Sequence, residues 1–255
     1  MTIDVASKRA GFRELHRDGC FVLPNPWDAG SARRLAARGF RALASTSSGF
    51  AWSLGREDGE VALDELLEHL SMLNEVTDLP LNADFEAGFA DAPDAVARNV
   101  LLATDTGVAG LSIEDRTGSA LYELPLAVER IRAAADAIAS SGSDVMLVGR
   151  TEGYLLGDRD LSRTVGRLVA YAEAGADCLY APGVTDPGEI SEIVAAVAPK
   201  PVNVLLMSPQ MRVGDLADLG VRRVSVGGGL ARAAWAGFDR AVDLLVNEGT
   251  VPPRD

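Results

Sequence analysis

Eight short apolar runs recur along the chain, and this alternation limits the possible folds more than any other feature of the sequence. Most runs are followed by segments with helical periodicity, many of which begin with an acid or proline and end with glycine. The runs occupy residues 21–25, 42–46, 79–85, 108–115, 145–152, 176–182, 201–206 and 222–227. Eight strand-then-helix units in 255 residues match an α/β fold with eight parallel strands, the (β/α)8 TIM barrel. Because no linker or low-complexity tract interrupts the pattern, we expect one barrel domain over residues 1–255.

A doubly wound open sheet is the alternative architecture for alternating strands and helices. Such sheets often carry a glycine-rich phosphate loop after the first strand, and the sequence has none there. The densest glycine cluster, VGGGLARA at 226–233, follows the last run instead. Two interpretations of this cluster stay open: a helix N-terminus that holds a phosphate or carboxylate, and a tight turn from strand to helix.

The charge balance and the cysteine positions exclude several classes of function. The chain carries 24 basic and 37 acidic residues, a net charge of -13, so nucleic acid is not an expected partner. Cys20 and Cys178 show no disulfide or zinc-site spacing. The sequence contains no membrane-span-length apolar run and its N-terminus lacks a signal-like apolar region, so we expect a cytoplasmic protein.

Acidic residues follow two neighbouring apolar runs at the point where a barrel would place its active site. In LPLNADFEAGF, Asp84 and Glu86 lie two residues apart, so an extended strand would present both on one face. The alternation in the next run points Glu114 into the same barrel mouth. Three carboxylates without histidine or cysteine favour Mg²⁺ or Mn²⁺. The alternative interpretation is a solvated strand end before a glycine turn.

Arg150 falls at the end of the fifth run, on the same side of the predicted barrel. Its guanidinium would suit a substrate carboxylate or phosphoryl group, which it can bind through two parallel hydrogen bonds. The alternative is that Arg150 pairs with Glu152 or Glu114, and the two roles are compatible.

Five ordered segments between about residues 12 and 235 resemble signature segments of the isocitrate lyase / phosphoenolpyruvate mutase superfamily. They are PNPWDAGSARRLAARGFRALASTSSGFAWSLGREDG, LPLNADFEAGF, GVAGLSIEDR, VGRTEG and AEAGADCLYAPG. The resemblance implies a (β/α)8 barrel that contains Mg²⁺. It also implies a small 2-oxo or 2-hydroxy acid as the substrate.

The site residues that the resemblance implies fall into three groups. The metal would be held, directly or through water, by Asp84, Glu86 and Glu114. Substrate contacts would come from Trp27, from Arg150, and from backbone amides near Ser45, Thr46 and Ser47. Asp58 in SLGRED corresponds to an acid near the metal.

The segment after IED departs from the family pattern, which bears on the reaction. Isocitrate and methylisocitrate lyases carry KxCGH there, whereas this chain reads RTGSALYELP, without cysteine, lysine or histidine. His16 and His69 lie away from the predicted strand ends, and Cys178 lies within a run that we assign to the core. Tyr122 and Tyr180 remain as proton donors, and we favour Tyr180 because a strand positions it better than a loop.

The family chemistry implies a first hypothesis and two alternatives. The first is a Mg²⁺-dependent lyase that cleaves a carbon-carbon bond of a small 2-oxo or 2-hydroxy di- or tricarboxylate through a metal-bound enolate, as in methylisocitrate lyase or oxaloacetate chemistry. The second is a phosphonopyruvate- or phosphoenolpyruvate-type mutase or hydrolase that acts on a carbon-phosphorus bond. The third is a catalytically silent barrel that binds a metabolite.

The last amphipathic segment, LARAAWAGFDRAVDLLVNEG, carries apolar residues at helical spacing. Proteins of the family that the chain resembles pack their last helix against a neighbouring subunit or exchange it, so we expect a homo-oligomer, with a tetramer favoured over a dimer. The alternative is that the helix closes its own barrel.

Overall fold

A nearly closed barrel of eight parallel strands forms the centre of the protein. The structure is a computed structural model that describes residues 4–253. The barrel strands are β1 Phe21–Leu23, β2 Leu43–Ala44, β3 Leu81–Asp84, β4 Gly110–Glu114, β7 Met146–Arg150, β8 Cys178–Tyr180, β9 Val202–Leu205 and β10 Arg223–Ser225; a hairpin of β5 Arg116–Thr117 and β6 Ala120–Leu121 follows β4. The sheet order is β1-β10-β9-β8-β7-β4-β3-β2, and Ala44 N donates to Pro24 O at 3.1 Å across the remaining gap. The predicted fold class is therefore confirmed.

Helices surround the barrel and cover its N-terminal end. They are α1 Val5–Leu15, α2 Ala29–Ala37, α3 Ser47–Ser53, α4 Leu63–Glu75, α5 Pro93–Asp105, α6 Leu124–Ser141, α7 Leu161–Glu173, α8 Pro187–Val197, α9 Val213–Asp218 and α10 Gly229–Glu248. Helix α1 starts at an Asp4 cap that accepts from Ser7 N at 3.0 Å. Its Phe12 is fully buried at the base of the barrel, where a Cβ on Gly110 would lie 2.7 Å from the Phe12 ring. Glycine at position 110 therefore lets the helix close this end.

The two faces of the strands bury different kinds of side chain. Outward residues such as Leu111 and Leu147 pack in the main core beneath the helices. The barrel interior is more polar, and Arg223 there is 2% exposed. Arg223 donates to Asn203 Oδ1 at 3.0 Å and to Asn82 Oδ1 at 3.2 Å, which satisfies part of its hydrogen-bonding capacity. Both strand faces are thus buried, which explains why the strands appear as continuous apolar runs rather than alternating ones.

The last helix, α10, extends away from its own barrel. Among its described residues only Ala231 is buried. Six of its large apolar side chains are exposed, from 36% at Leu230 to 76% at Val246; the others are Trp235, Phe238, Val242 and Leu245. The apolar face read from the sequence thus stays uncovered in the single chain. Within residues 4–253 no helix has the length and hydrophobicity needed to cross a bilayer.

Candidate active site

Two adjoining cavities open at the C-terminal ends of the barrel strands. The inner cavity, about 240 Å³, reaches into the barrel as far as Arg223, and the outer cavity, about 420 Å³, lies between Glu86, Glu114 and the hairpin. Ser47, Asp58, Arg150 and Leu155 line both, so the cavities form one site. A larger open groove of about 660 Å³ lies around Arg13 and Asp177, near the end of α1 and the start of β8. The strand ends carry the clustered acids, and this is where barrel enzymes place their chemistry.

Arg150 lies at the centre of this site, surrounded by three carboxylates. Its Nε is 2.6 Å from Glu152 Oε1, its Nη1 is 3.1 Å from Asp84 Oδ1, and its Nη2 is 3.3 Å from Glu114 Oε2. The neighbouring charges raise the pKa of Arg150 well above its ordinary value in spite of its burial. The pairing with Glu152 and Glu114 considered from the sequence is therefore present. Three of the five guanidinium N–H groups are used, which leaves two for a ligand.

The acidic pair is positioned differently from the sequence expectation. Strand β3 ends at Asp84, and Glu86 adopts a left-handed backbone with φ of 45°, so the two do not share one face of a continuous strand. The turn nevertheless places Glu86 in the outer cavity, and Glu114 N donates to Glu86 O at 2.9 Å. The expected juxtaposition of Glu86 and Glu114 arises through the turn and not through strand alternation.

The site carries an excess of negative charge, which appears in the pKa values of its carboxyls. Burial, together with Asp84 and Asp58, raises the pKa of Glu86 to about 7. Burial also raises the pKa of Glu114 to about 8, although Arg150 opposes the shift. The pKa of Asp58 is raised by partial burial and by Asp84, against a hydrogen bond with Ser47. Additional positive charge in the site would stabilise these groups in their ionised form.

We predict that the metal-free protein loses stability as the pH rises from about 5.5 to 8. Glu86 and Glu114 bind their protons more tightly in the folded protein than in the unfolded chain, so deprotonation through pKa values of about 7 and 8 costs folding free energy. At 1.36 kcal/mol per unit of pKa shift, the two groups together lose on the order of 5 kcal/mol over this range. Urea unfolding at both pH values in a chelator measures it. Glu114→Gln should reduce the dependence of the unfolding free energy on pH, whereas Glu68→Gln at an exposed position should not. An equal pH dependence in wild type and both variants would contradict the assignment of the effect to Glu86 and Glu114.

The donor set fits a hard divalent cation. Asp84, Glu86, Glu114 and Asp58 supply only carboxylate oxygens, which Mg²⁺ and Mn²⁺ prefer. Within residues 4–253, no three His, Cys, Asp or Glu side chains already stand in a direct metal-binding arrangement. Mg²⁺ commonly keeps several waters and uses one or two carboxylates directly. The acids of this site therefore suit an ion bound partly through water.

The serine-threonine segment expected to bind substrate mainly positions Asp84. Ser45 Oγ accepts from Asp84 N at 2.8 Å, and Ser47 N donates to Asp84 Oδ2 at 3.1 Å. Ser45 N is bonded to Asn82 O at 2.9 Å, while the Thr46 side chain caps α3. The amides of Ser45 and Ser47 are thus already engaged. Trp27 lies before α2 and lines neither cavity.

Of the two tyrosines considered as proton donors, Tyr180 lies in the site. It lines the inner cavity, its ring centroid is 5.3 Å from the Arg150 guanidinium carbon, and burial raises the pKa of its hydroxyl to about 12. Tyr122 instead donates to Asp91 and packs under the Arg130 guanidinium at 4.1 Å. The hydroxyl of Tyr180 therefore stays protonated at neutral pH, on a residue that lines the inner cavity.

The histidines and Cys178 lie apart from this chemistry. His16 and His69 are 8% and 4% exposed, and burial lowers their pKa values to about 3 and about 4. His69 stacks on Phe50 with ring centroids 3.7 Å apart. Cys178 is fully buried inside the barrel, as expected for a core residue.

Asp115 has a supporting role that sequence reasoning did not identify. It is 3% exposed and accepts from Thr151 Oγ1 at 2.7 Å, Glu152 N at 2.9 Å, Tyr171 Oη at 2.6 Å and Arg167 Nη1 at 3.1 Å. These bonds fix the segment that follows β7, which carries Glu152. The sequence signal was an acid directly after Glu114, but its partners lie far away along the chain.

The glycine cluster forms a tight turn whose first amides are occupied. Asn25 Oδ1 accepts from Val226 N and Gly227 N, each at 2.9 Å. A Cβ on Gly228 would lie 2.7 Å from Ser48 Oγ, so glycine permits the close approach of α3. Arg232, on the following helix, lines the inner cavity and was not singled out from the sequence. This geometry favours the turn interpretation of the cluster.

Comparison with known proteins links this geometry to enzymes of small organic acids. Residues 12–246 match the family described as phosphoenolpyruvate phosphomutase. A structure of a candidate lyase/mutase from Burkholderia cenocepacia J2315 is 48% identical, covers 97% of this chain and 90% of its own, and superposes with a TM-score of 0.94. Oxaloacetate decarboxylase of Pseudomonas entomophila L48 is 30% identical over 85% of this chain and 77% of its own. An oxaloacetate acetylhydrolase in complex with oxalate is 27% identical, with 98% and 90% coverage and a TM-score of 0.91.

Proposed function

Because the chain belongs to the phosphoenolpyruvate phosphomutase family, within the isocitrate lyase / phosphoenolpyruvate mutase superfamily, we propose that it is a Mg²⁺-dependent carbon-carbon lyase. The substrate is a small 2-oxo or 2-hydroxy di- or tricarboxylate. The observation that carries the proposal is the placement of Arg150 among Asp84, Glu114 and Glu152 at the barrel mouth. Relatives that act on oxaloacetate support it, since they combine a similar sequence with carbon-carbon cleavage of a 2-oxo diacid.

In this proposal the residues divide the work between binding and proton transfer. Asp84, Glu86 and Glu114 hold the ion, with Asp58 beside them at the rim. When bound, Mg²⁺ supplies positive charge that stabilises negative charge developing on a substrate oxygen. The two remaining N–H groups of Arg150 bind and orient the substrate carboxylate.

Tyr180 has the proton-transfer role in the proposed reaction. Cleavage next to C3 of a 2-oxo acid leaves an enolate that must take up a proton at carbon. Tyr180 lines the inner cavity and holds its proton at neutral pH, because burial raises the pKa of its hydroxyl to about 12 against Arg150 and a hydrogen bond with Ser225. The neighbouring Arg150 favours the tyrosinate that forms after the transfer.

A substrate panel tests the proposal and separates it from its alternatives. The protein is incubated with Mg²⁺ and oxaloacetate, malate, a methylisocitrate-type tricarboxylate or phosphonopyruvate, while pyruvate and phosphate are followed. Pyruvate or an equivalent carbon-carbon cleavage product supports the lyase. Turnover of phosphonopyruvate alone would replace it with a mutase or hydrolase. Saturable binding without turnover of any substrate would indicate a silent barrel.

We also propose that the protein is a homo-oligomer, a tetramer in preference to a dimer, with α10 at the interface. The exposed Phe238 and Leu245 would be buried by a neighbouring subunit, at a gain of roughly 25 cal/mol per Å² of apolar surface. Light scattering at micromolar concentration should give a multiple of 26.8 kDa. Phe238→Asp combined with Leu245→Asp should lower the mass, whereas Arg240→Ala on the same helix should not. A wild-type mass of one chain would contradict the prediction.

A further inference from the structure

The hairpin after β4 presents an arginine to the outer cavity. Arg116 lies in β5, faces Leu121 across the hairpin and is exposed. Its Nε donates to Gly118 O at 2.7 Å, so the turn of the hairpin holds the guanidinium in place. Among residues 4–253, no described protein group accepts a hydrogen bond from Nη1 or Nη2 of Arg116. A fixed guanidinium with two free nitrogens is therefore directed at the site from the hairpin side.

The charges around the outer cavity make Arg116 distinct from Arg150. Four acids line this cavity, namely Asp58, Glu86, Glu114 and Glu152, together with the two arginines. Every nitrogen of Arg150 already contacts a protein carboxylate. Arg116 forms no ion pair with any of these acids among the described residues. Arg116 is therefore the arginine of this cavity whose terminal nitrogens contact none of these acids directly, although its charge lowers the pKa of Asp58.

We propose that Arg116 binds a second carboxylate of the substrate, carried on C3, so that the enzyme selects dicarboxylates over monocarboxylates. This inference rests on the proposed function, which places the 2-oxo acid end of the substrate near Asp84 and Arg150. The acid-lined wall would repel a second carboxylate in the outer cavity, except where Arg116 faces it. A guanidinium binds a carboxylate through two parallel hydrogen bonds, and the free Nη atoms suit this geometry. A cavity of about 420 Å³ has room for a small diacid.

Two probes test the inference, one of which ends at C2 while the other adds C3 and its carboxylate. Oxalate resembles the 2-oxo acid end alone, whereas 3,3-difluorooxaloacetate adds the second carboxylate. Titration calorimetry with Mg²⁺ compares wild type, Arg116→Ala, Arg116→Lys and the control Arg98→Ala, which removes an exposed arginine on α5. Arg116→Ala should weaken 3,3-difluorooxaloacetate binding about tenfold or more, as expected for a charge-assisted pair, and change oxalate binding less than about twofold. Arg116→Lys should lie between, and Arg98→Ala should match wild type.

Each other outcome has a defined meaning. Equal weakening of both probes, or no weakening of either, would overturn the role of Arg116 while leaving the proposed function intact. Wild-type protein that binds oxalate but not 3,3-difluorooxaloacetate would do the same. A loss in Arg116→Ala that affects phosphonopyruvate but not 3,3-difluorooxaloacetate would overturn the assignment to a carboxylate. Wild-type protein that binds neither oxalate nor 3,3-difluorooxaloacetate would overturn both this inference and the proposed function.

Discussion

Asp84→Asn is expected to lower the affinity for Mg²⁺ about 100-fold or more and to abolish measurable turnover. Asp84 ends β3 with one oxygen facing Arg150 Nη1 and the other accepting from Ser47 N. The amide keeps the size of the side chain but removes the charge that an ion needs. In many metal sites, removing a residue that only hydrogen-bonds to a metal ligand already lowers metal affinity 10- to 100-fold. Removing a ligand itself should lower the affinity at least as much. Calorimetric titration with Mg²⁺ and a product assay measure the two effects.

A matched substitution separates the metal site from general acidity. Asp94→Asn removes one negative charge from the exposed surface of α5, where Asp94 pairs with Arg98. This variant should bind Mg²⁺ like the wild type. Unchanged Mg²⁺ affinity in Asp84→Asn, with a normal unfolding temperature, would remove Asp84 from the metal site.

Arg150→Lys is expected to lower kcat/KM about 100-fold or more. The guanidinium contacts Asp84, Glu114 and Glu152 through three different nitrogens, at 3.1, 3.3 and 2.6 Å. An ammonium keeps the charge but cannot reproduce this planar arrangement together with a bidentate substrate contact. A loss of about 3 kcal/mol of transition-state stabilisation corresponds to a factor of roughly 100. Steady-state kinetics on the substrate found by the panel measure it.

The exposed Arg163 provides the control for this substitution. Arg163 also contacts two acids, Asp158 at 2.6 Å and Asp160 at 3.7 Å, but its side chain is 60% exposed. Arg163→Lys should leave kcat/KM unchanged, because exposed ion pairs contribute little. If Arg150→Lys retains wild-type kcat/KM, Arg150 is only a structural partner of the three acids. Thermal unfolding of both variants separates a loss of folding from a loss of catalysis.

The sequence predicted the eight strands well, but not where each strand ends. Parallel barrel strands are buried on both faces, so each appears as an apolar run whatever its exact length. The run at 79–85 corresponds to Leu81–Asp84, and the ladder stops where Glu86 turns into a left-handed conformation. Side-chain alternation was therefore extended two residues too far. Hydropathy does not encode the hydrogen bonds that end a strand.

The sequence predicted the location of a residue where a strand end by itself determines its position. Asp84, Glu114 and Arg150 follow this rule, and the structure brings them into contact. Residues whose role depends on distant partners were missed. Asp115 is bonded to Tyr171, 56 positions away, and the direction of Arg116 depends on the turn of a two-residue hairpin. Neither relation leaves a local pattern in the sequence.

A backbone hydrogen bond closes the base of the hairpin, in which Tyr122 N donates to Asp115 O at 2.8 Å. Arg167 Nη2 holds Tyr122 O at 2.9 Å, and Asp115 itself is anchored by four donors, so both ends of the loop are fixed to the scaffold. The residues between them can change in length and composition without moving the acids on the strands. The hairpin can therefore vary independently of the barrel. Substitutions in it could alter substrate preference while the barrel strands and their acids stay unchanged.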